Sequence, residues 1–213
     1  MKLTLRFRGE LPSNGRPEEK HAIRLQLHSQ LQAYWQKDSR LKEINENLKG
    51  LQVPELKSGR FEVTRPIKGQ QNFFRRHPLC GHNFVPLVTG VRESHCHLSL
   101  RCYRNTEDEG ILFHGGDIDN RLKTFFDALQ VPQASEQIPA SSRNPQGDPK
   151  EWPTIFCLVD NDRSITKLAI ESFILLTGIP SDCKRPENYA EIDIDVEIVP
   201  VTPMHGSLDL LFP

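Results

Sequence analysis

No run of about 18 apolar residues occurs in this chain, so a membrane-crossing helix is not expected. Met1 to Arg8 alternates apolar with polar residues, which excludes the apolar centre of a signal peptide. Both observations predict a cytoplasmic protein with no membrane partner. Cysteine is sparse and without pattern: Cys80, Cys96, Cys102, Cys157 and Cys183 form an odd, scattered set that excludes a disulfide scaffold and suits a reducing compartment. No internal repeat is present, which excludes a solenoid.

Net charge is also nearly absent, at −1, but the sum conceals an asymmetry. Residues 1–76 hold 16 Lys/Arg against 8 Asp/Glu, and the remainder holds 11 against 20. A polyanion binder with a carboxylate metal site needs such a separation, because clustered carboxylates repel phosphate until a cation neutralises them. At 213 residues with 37% hydrophobic content, the chain is long enough to bury one substantial core.

Leu3, Leu5 and Phe7 alternate with basic and polar residues and predict a half-buried first strand ending at Gly9. The segment Leu11-Pro12-Ser13-Asn14 begins a turn. A helix follows over 18–37, with Ile23, Leu27, Leu31 and Tyr34 as its apolar stripe. Arg16, Lys20, Arg24 and His28 recur at spacing four on another face, either a solvated surface or a row of phosphate contacts. A short helix around 41–51 and a strand around 60–65 are expected. Phe73-Phe74-Arg75-Arg76-His77 sets aromatic beside basic side chains, so Arg75 and Arg76 are further candidates for DNA contact unless the phenylalanines are core residues.

Residues 94–103 alternate cleanly, with Cys96, Leu98, Leu100 and Cys102 on one face of a strand. The pattern also raises a zinc reading through Cys80, His82, His95 and His97. A second helix is expected over 119–130 with Leu122, Phe125, Phe126 and Leu129 inward. The Pro/Ser/Gln-rich stretch 132–153 is longer than an ordinary connection and is expected to be a disordered flap or a functional loop. Strands follow over 164–176 and 190–200. In the latter, Ile192, Ile194, Val196 and Ile198 face inward, and Asp193, Asp195 and Glu197 form an acidic stripe expected to protect a sheet edge.

The densest chemical signal is Asp117-Ile118-Asp119-Asn120, with Lys123 four residues after the second carboxylate and Asp160-Asn161-Asp162 some forty residues on. Acidic residues two apart at a strand end point to one side, and a hard divalent cation needs converging oxygens. A cation held by Asp117, Asp119 and one of Asp160 or Asp162 keeps positions for water and a phosphate oxygen. Such a centre suits phosphodiester hydrolysis, with Lys123 as a fixed charge beside the phosphate or leaving group. Separately, Asp119 fits a helix cap, Lys123 a surface residue, and Asp160 and Asp162 turn formers.

Together these residues resemble the RusA-type Holliday junction resolvases, crossover junction endodeoxyribonucleases. The family signature is an Asp-x-Asp-Asn strand end, a Lys four residues later, an Asp-Ala-Leu helix end and an Asp-Asp pair before a strand. Asp117-Ile118-Asp119-Asn120, Lys123, Asp127-Ala128-Leu129 and Asp160-Asn161-Asp162 match in that order, and Leu11-Pro12-Ser13-Asn14 is similar to the family's Pro-Pro-Ser-Asn turn. The resemblance implies an α+β fold, a mixed β-sheet packed by helices, in one domain over 1–213 with an enlarged region at about 15–75. It implies a homodimer that nicks four-way DNA junctions with Mg²⁺ or Mn²⁺, using Asp117, Asp119, Asp162 and Lys123, with Asp160 as the other candidate ligand. Where the family places an Arg/Lys run before the motif, this chain has Glu107-Asp108-Glu109, so DNA grip is expected from the basic N-terminal third. The alternatives are a DNA-binding or complex-forming protein of this fold without turnover, and a zinc-dependent interaction module.

Overall fold

The computed structural model describes residues 1–38, 41, 76–89, 94–104 and 118–200. Apart from Leu41, the expected helix at 41–51 lies outside these residues, as do the expected strand at 60–65, Phe73, Phe74 and Arg75. The described chain forms β1 (Lys2–Glu10), α1 (Pro17–Lys37), β2 (His77–Leu79), β3 (His82–Val88), β4 (Ser94–Arg104), α2 (Ile118–Leu129), β5 (Thr154–Val159), β6 (Ile165–Ile174) and β7 (Tyr189–Pro200). It is an α+β architecture with two mixed sheets, ordered β1-β7-β4-β6 and β2-β3-β5.

The first sheet owes its form to period-two alternation. Leu5 of β1, Ile194 of β7 and Leu100 of β4 lie side by side in register and are all buried. Helices α1 and α2 and the second sheet close over this face, so that Leu5, Leu27, Phe125 and Leu158 belong to one core. Along α1 the buried stripe is Ile23, Leu27, Leu31 and Trp35. Trp35 therefore takes the position expected for Tyr34, which is only half-buried, because a strict four-residue repeat carries the contact line one residue further.

The acidic stripe of β7 is not at an edge. β7 lies between β1 and β4, and its carboxylates are balanced across the strands: Lys2–Glu197 at 3.2 Å, Arg6–Asp193 at 2.6 Å, Arg8–Glu191 at 3.1 Å and Arg101–Asp195 at 3.1 Å. Thr4 Oγ1 also donates to Asp195 at 2.7 Å. Such exposed pairs individually contribute little, because solvent screens them. Their larger effect is to remove the repulsion that an acidic row would meet in mid-sheet. Lys2, Arg6 and Arg8 thus cancel part of the charge asymmetry along the sequence in three dimensions.

The sheet's two edges are treated differently. At β1, α1 seals the free backbone: Gln30 accepts from Arg6 N at 2.8 Å and donates to Arg6 O at 2.6 Å, while Gln26 donates to Arg8 O at 3.1 Å. At β6, β4 is the one strand partner among the described residues.

The sequence reading missed the second sheet's β2–β3 hairpin. Its two-residue turn, Cys80-Gly81, has positive φ at both positions (52° and 86°), the conformation of a type I′ turn. Residues 132–153 are not a disordered flap, since they are packed against this hairpin. Ile138 is fully buried, and Asn144 N donates to Cys80 O at 3.0 Å. The Asn83 amide donates to Pro149 O at 2.7 Å and to Trp152 O at 2.9 Å. A Cβ at Gly81 would strike the Asn144 carbonyl, which explains why glycine stands there.

Two histidines, buried His21 and partly buried His28, tie α1 to these layers. His28 Nδ1 accepts from Phe156 N at 2.9 Å, which requires a neutral ring, and burial lowers its pKa. Burial, with help from Arg24 and His82, pushes His21 down to about 4. As pH falls through about 6.5 the unfolded chain binds protons that the folded chain refuses, so this stability is complete above that pH and lost below it. Urea unfolding is expected to cost on the order of 2 kcal/mol less at pH about 4.5 than at pH about 7.5 because of His21. His21→Gln should flatten that part of the profile; an unchanged slope would show that His21 contributes nothing to it.

Candidate active site

Helix α2 places the acidic motif. Phe125, Ala128 and Leu129 are buried, and Phe125 packs on Phe7 with ring centroids 5.9 Å apart. Two contacts fix its N-terminal half to the turn after β1: Thr124 Oγ1 accepts from Gly15 N at 2.7 Å, and Arg121 donates to Leu11 O at 2.5 Å. This anchoring leaves Asp119, in the first helical turn, and Lys123, one turn later on the same side, both exposed. No described residue forms an ion pair with Lys123. Asp117 lies outside the described residues.

Behind this exposed pair lie two buried arginines. Arg121 is 2% exposed and Arg104, at the C-terminal end of β4, is 8% exposed. Burial lowers the pKa of each, and the Arg121 charge lowers that of Arg104 further. Among the described residues the Nε and Nη2 atoms of Arg121 meet no hydrogen-bond partner, while the Glu187 charge acts favourably on its guanidinium.

The second acidic group closes β5. Asp160 N donates to Val88 O at 3.0 Å, and one carboxylate oxygen of Asp160 accepts from Asn161 N at 2.8 Å and Ser164 Oγ at 2.7 Å. Asn161 in turn accepts from Arg163 N at 3.0 Å and starts the short 3₁₀ turn Asp162–Ser164. Asp160 and Asn161 thus shape the turn, and Asp162 is the exposed carboxylate.

These two groups occupy opposite ends of α2. Gln130, just beyond the helix, bridges Val159, and Gln133 donates to Asp160 O at 3.1 Å. Asp119 lies eleven residues before Gln130, about 16 Å along the helix. The same separation appears along β4: the Asp160 charge acts on Cys96 near its start, and Arg121 on Arg104 at its end, about 26 Å apart at strand spacing. Among the described residues no three His, Cys, Asp or Glu side chains are gathered as a metal-binding group. Carboxylate oxygens suit Mg²⁺ or Mn²⁺, but one protomer does not bring Asp119 together with the 160–162 turn.

The candidate DNA contacts are largely committed elsewhere. Arg16 pairs with Glu19 at 3.2 Å but remains exposed, and Lys20 pairs with Asp127 at 2.6 Å. Arg24 is no surface residue: it is 2% exposed and donates to Asp127 O at 2.8 Å. Arg76 is half-buried, and burial lowers its pKa. The zinc candidates are divided between the sheets. His82 meets Ser142 O at 3.0 Å, whereas His97 lies 3.5 Å from Glu197. Cys96 and Cys102 are buried thiols raised to about 12 and 11 by desolvation, as expected of small core residues.

A cleft of about 610 Å³ lies between β1 and the 177–191 segment. Two ion pairs border it, Arg8 with Glu191 and Glu10 with Arg185 at 2.6 Å, and Asp182 and Cys183 also line it. The sequence reading missed Arg104 and Arg121; a cation two residues after Asp119 was the available signal for Arg121. No protein-family model matches this chain, and no curated protein or solved structure matches it.

Proposed function

We propose that the chain is a Mg²⁺- or Mn²⁺-dependent endonuclease of branched DNA, such as four-way junctions, that acts as a homodimer. The observation that supports this most directly is the exposed Asp119–Lys123 pair on the first turns of α2, with Arg104 and Arg121 behind it. Carboxylates that hold a cation and fixed positive charges that meet a phosphate are the two requirements of phosphodiester hydrolysis.

In this reading Asp117 and Asp119 hold the ion, and Asp162, the exposed member of its turn, completes the set from the second copy. The ion supplies positive charge against phosphate oxygens and makes a water molecule more acidic. Lys123 lies against a non-bridging oxygen, where its ammonium offsets the charge that builds up as water attacks. Arg121 and Arg104 raise the potential at this end of the helix and favour the approach of the DNA backbone.

The separation of Asp119 from Asp160 and Asp162 within one chain favours a second reading, a DNA-binding protein without turnover. Incubation with four-way, splayed-arm, duplex and single-stranded DNA, with Mg²⁺ or with EDTA, decides between them. Mg²⁺-dependent nicking of branched DNA supports the nuclease; tight binding in EDTA without nicking in Mg²⁺ supports the second reading.

A further inference from the structure

We infer that β6 is the dimerisation strand of this protein and that its occupant is the β6 of a second copy, paired antiparallel about a twofold axis through Ala169. The strand is ten residues long, and most of its residues are exposed. Of the large apolar side chains left exposed among the described residues, Leu168, Phe173, Ile174 and Leu176 fall on this strand or just beyond it, with Leu25 elsewhere. Leu168, Ile170 and Ile174 pair in register with Leu98, Leu100 and Arg104, on the side of the sheet that faces the core. The apolar face of the sheet thus continues past β4 onto a strand that the helices leave uncovered. β1, at the other edge, is sealed by Gln26 and Gln30. From Lys167 onward, past a register shift at Thr166, β6 is a long edge that no proline and, among the described residues, no side chain seals, which makes it a template for strand addition.

Self-complementarity identifies the partner. A twofold axis through Ala169 sets Lys167 opposite the second copy's Glu171, and Glu171 opposite its Lys167. On the other face it sets Leu168 opposite Ile170, again twice. From Lys167 to Glu171 every position meets one of matching chemistry, and both charges on the strand are neutralised without any residue from outside it. An unrelated peptide has no reason to carry this palindromic order.

The symmetry also bears on the acidic residues, a link that rests on the nuclease reading, whereas the interface itself rests on β6 alone. An antiparallel partner carries its 160–162 turn past the C-terminal end of the first copy's β6. At that end Leu175 N bonds Arg104 O at 2.8 Å, with Arg104 and Arg121 nearby. Asp162 of the second copy thereby comes to the end of the sheet that carries Asp119.

Sedimentation or light scattering on the full chain tests the interface. A dimer is expected whose dissociation constant rises about tenfold in K167E and in E171K and returns towards the starting value in the double variant K167E/E171K. A169C is expected to form an intermolecular disulfide on mild oxidation, because directly opposed strand residues lie within about 5.5 Å, while S172C forms none beyond the wild-type background. A monomeric wild-type chain, or a dimer unchanged in K167E and E171K in which A169C forms no more disulfide than S172C, overturns the proposal. A dimer that behaves as described but never cleaves DNA overturns the nuclease reading and leaves the interface standing.

Discussion

Asp119→Asn is expected to lower Mg²⁺-dependent cleavage of branched DNA on the order of a thousandfold while leaving the fold intact. Asp119 is exposed and in the first turn of α2, so the substitution opens no void in the core, and the loss of its favourable interaction with the helix dipole costs about 1 kcal/mol or less. DNA binding should persist or tighten, since a carboxylate that repels phosphate is gone. Gel-shift affinity, thermal unfolding and a cleavage time course measured on the same preparation separate these effects. Unchanged cleavage in this variant would remove Asp119 from the chemistry. The second acidic group offers a contrast: Asp162→Asn should impair cleavage with little effect on stability, whereas Asp160→Asn should first loosen the turn that bonds Asn161 and Ser164.

Trp35→Ala is expected to destabilise the protein by about 3–5 kcal/mol. Trp35 is 1% exposed near the end of α1 and stacks on Phe156, with centroids 5.1 Å apart. Phe156 also stacks on His28 at 5.8 Å and bonds to it through its amide, so the two α1 residues clamp β5 at one point. Removal of the indole leaves a void in the contact between α1 and the second sheet that neighbouring side chains fill only in part. Tyr34→Ala serves as the control, since it removes a half-buried ring and should cost clearly less. Equal losses in urea denaturation would mean that helix propensity, rather than this clamp, sets the effect.

Regular alternation made much of the fold legible in the sequence. β1, β4 and β7 follow a period of two, and α1 and α2 a period near four, because in each of them one side is wet and the other dry. β2 and β3 escaped notice for the opposite reason: β3 is buried on nearly all sides and contains Pro86, so it shows neither alternation nor a clean strand composition. The position of β7 was likewise invisible. An acidic row reads as edge protection until its basic partners, Lys2, Arg6, Arg8 and Arg101, are brought in from distant sequence. The candidate site was legible as a set of residue types. That Asp119 and Asp162 belong to opposite ends of one helix was not, since spacing along a chain does not record the direction of the helix between two motifs. Arg24 shows the same limit, for its four-residue spacing with Arg16 and Lys20 carried no sign that it turns inward.

The central place of β7 has a consequence for synthesis. Residues 189–200 leave the ribosome long after residues 2–10, yet they are the strand that joins β1 to β4. Until they emerge, β1 and β4 each present an unsatisfied backbone edge and an uncovered apolar face, and the loop that must close between the first and last strands is almost as long as the chain described. The nascent protein is therefore expected to depend on chaperones until translation is nearly complete, and truncation before Tyr189 should yield aggregates instead of a smaller folded unit.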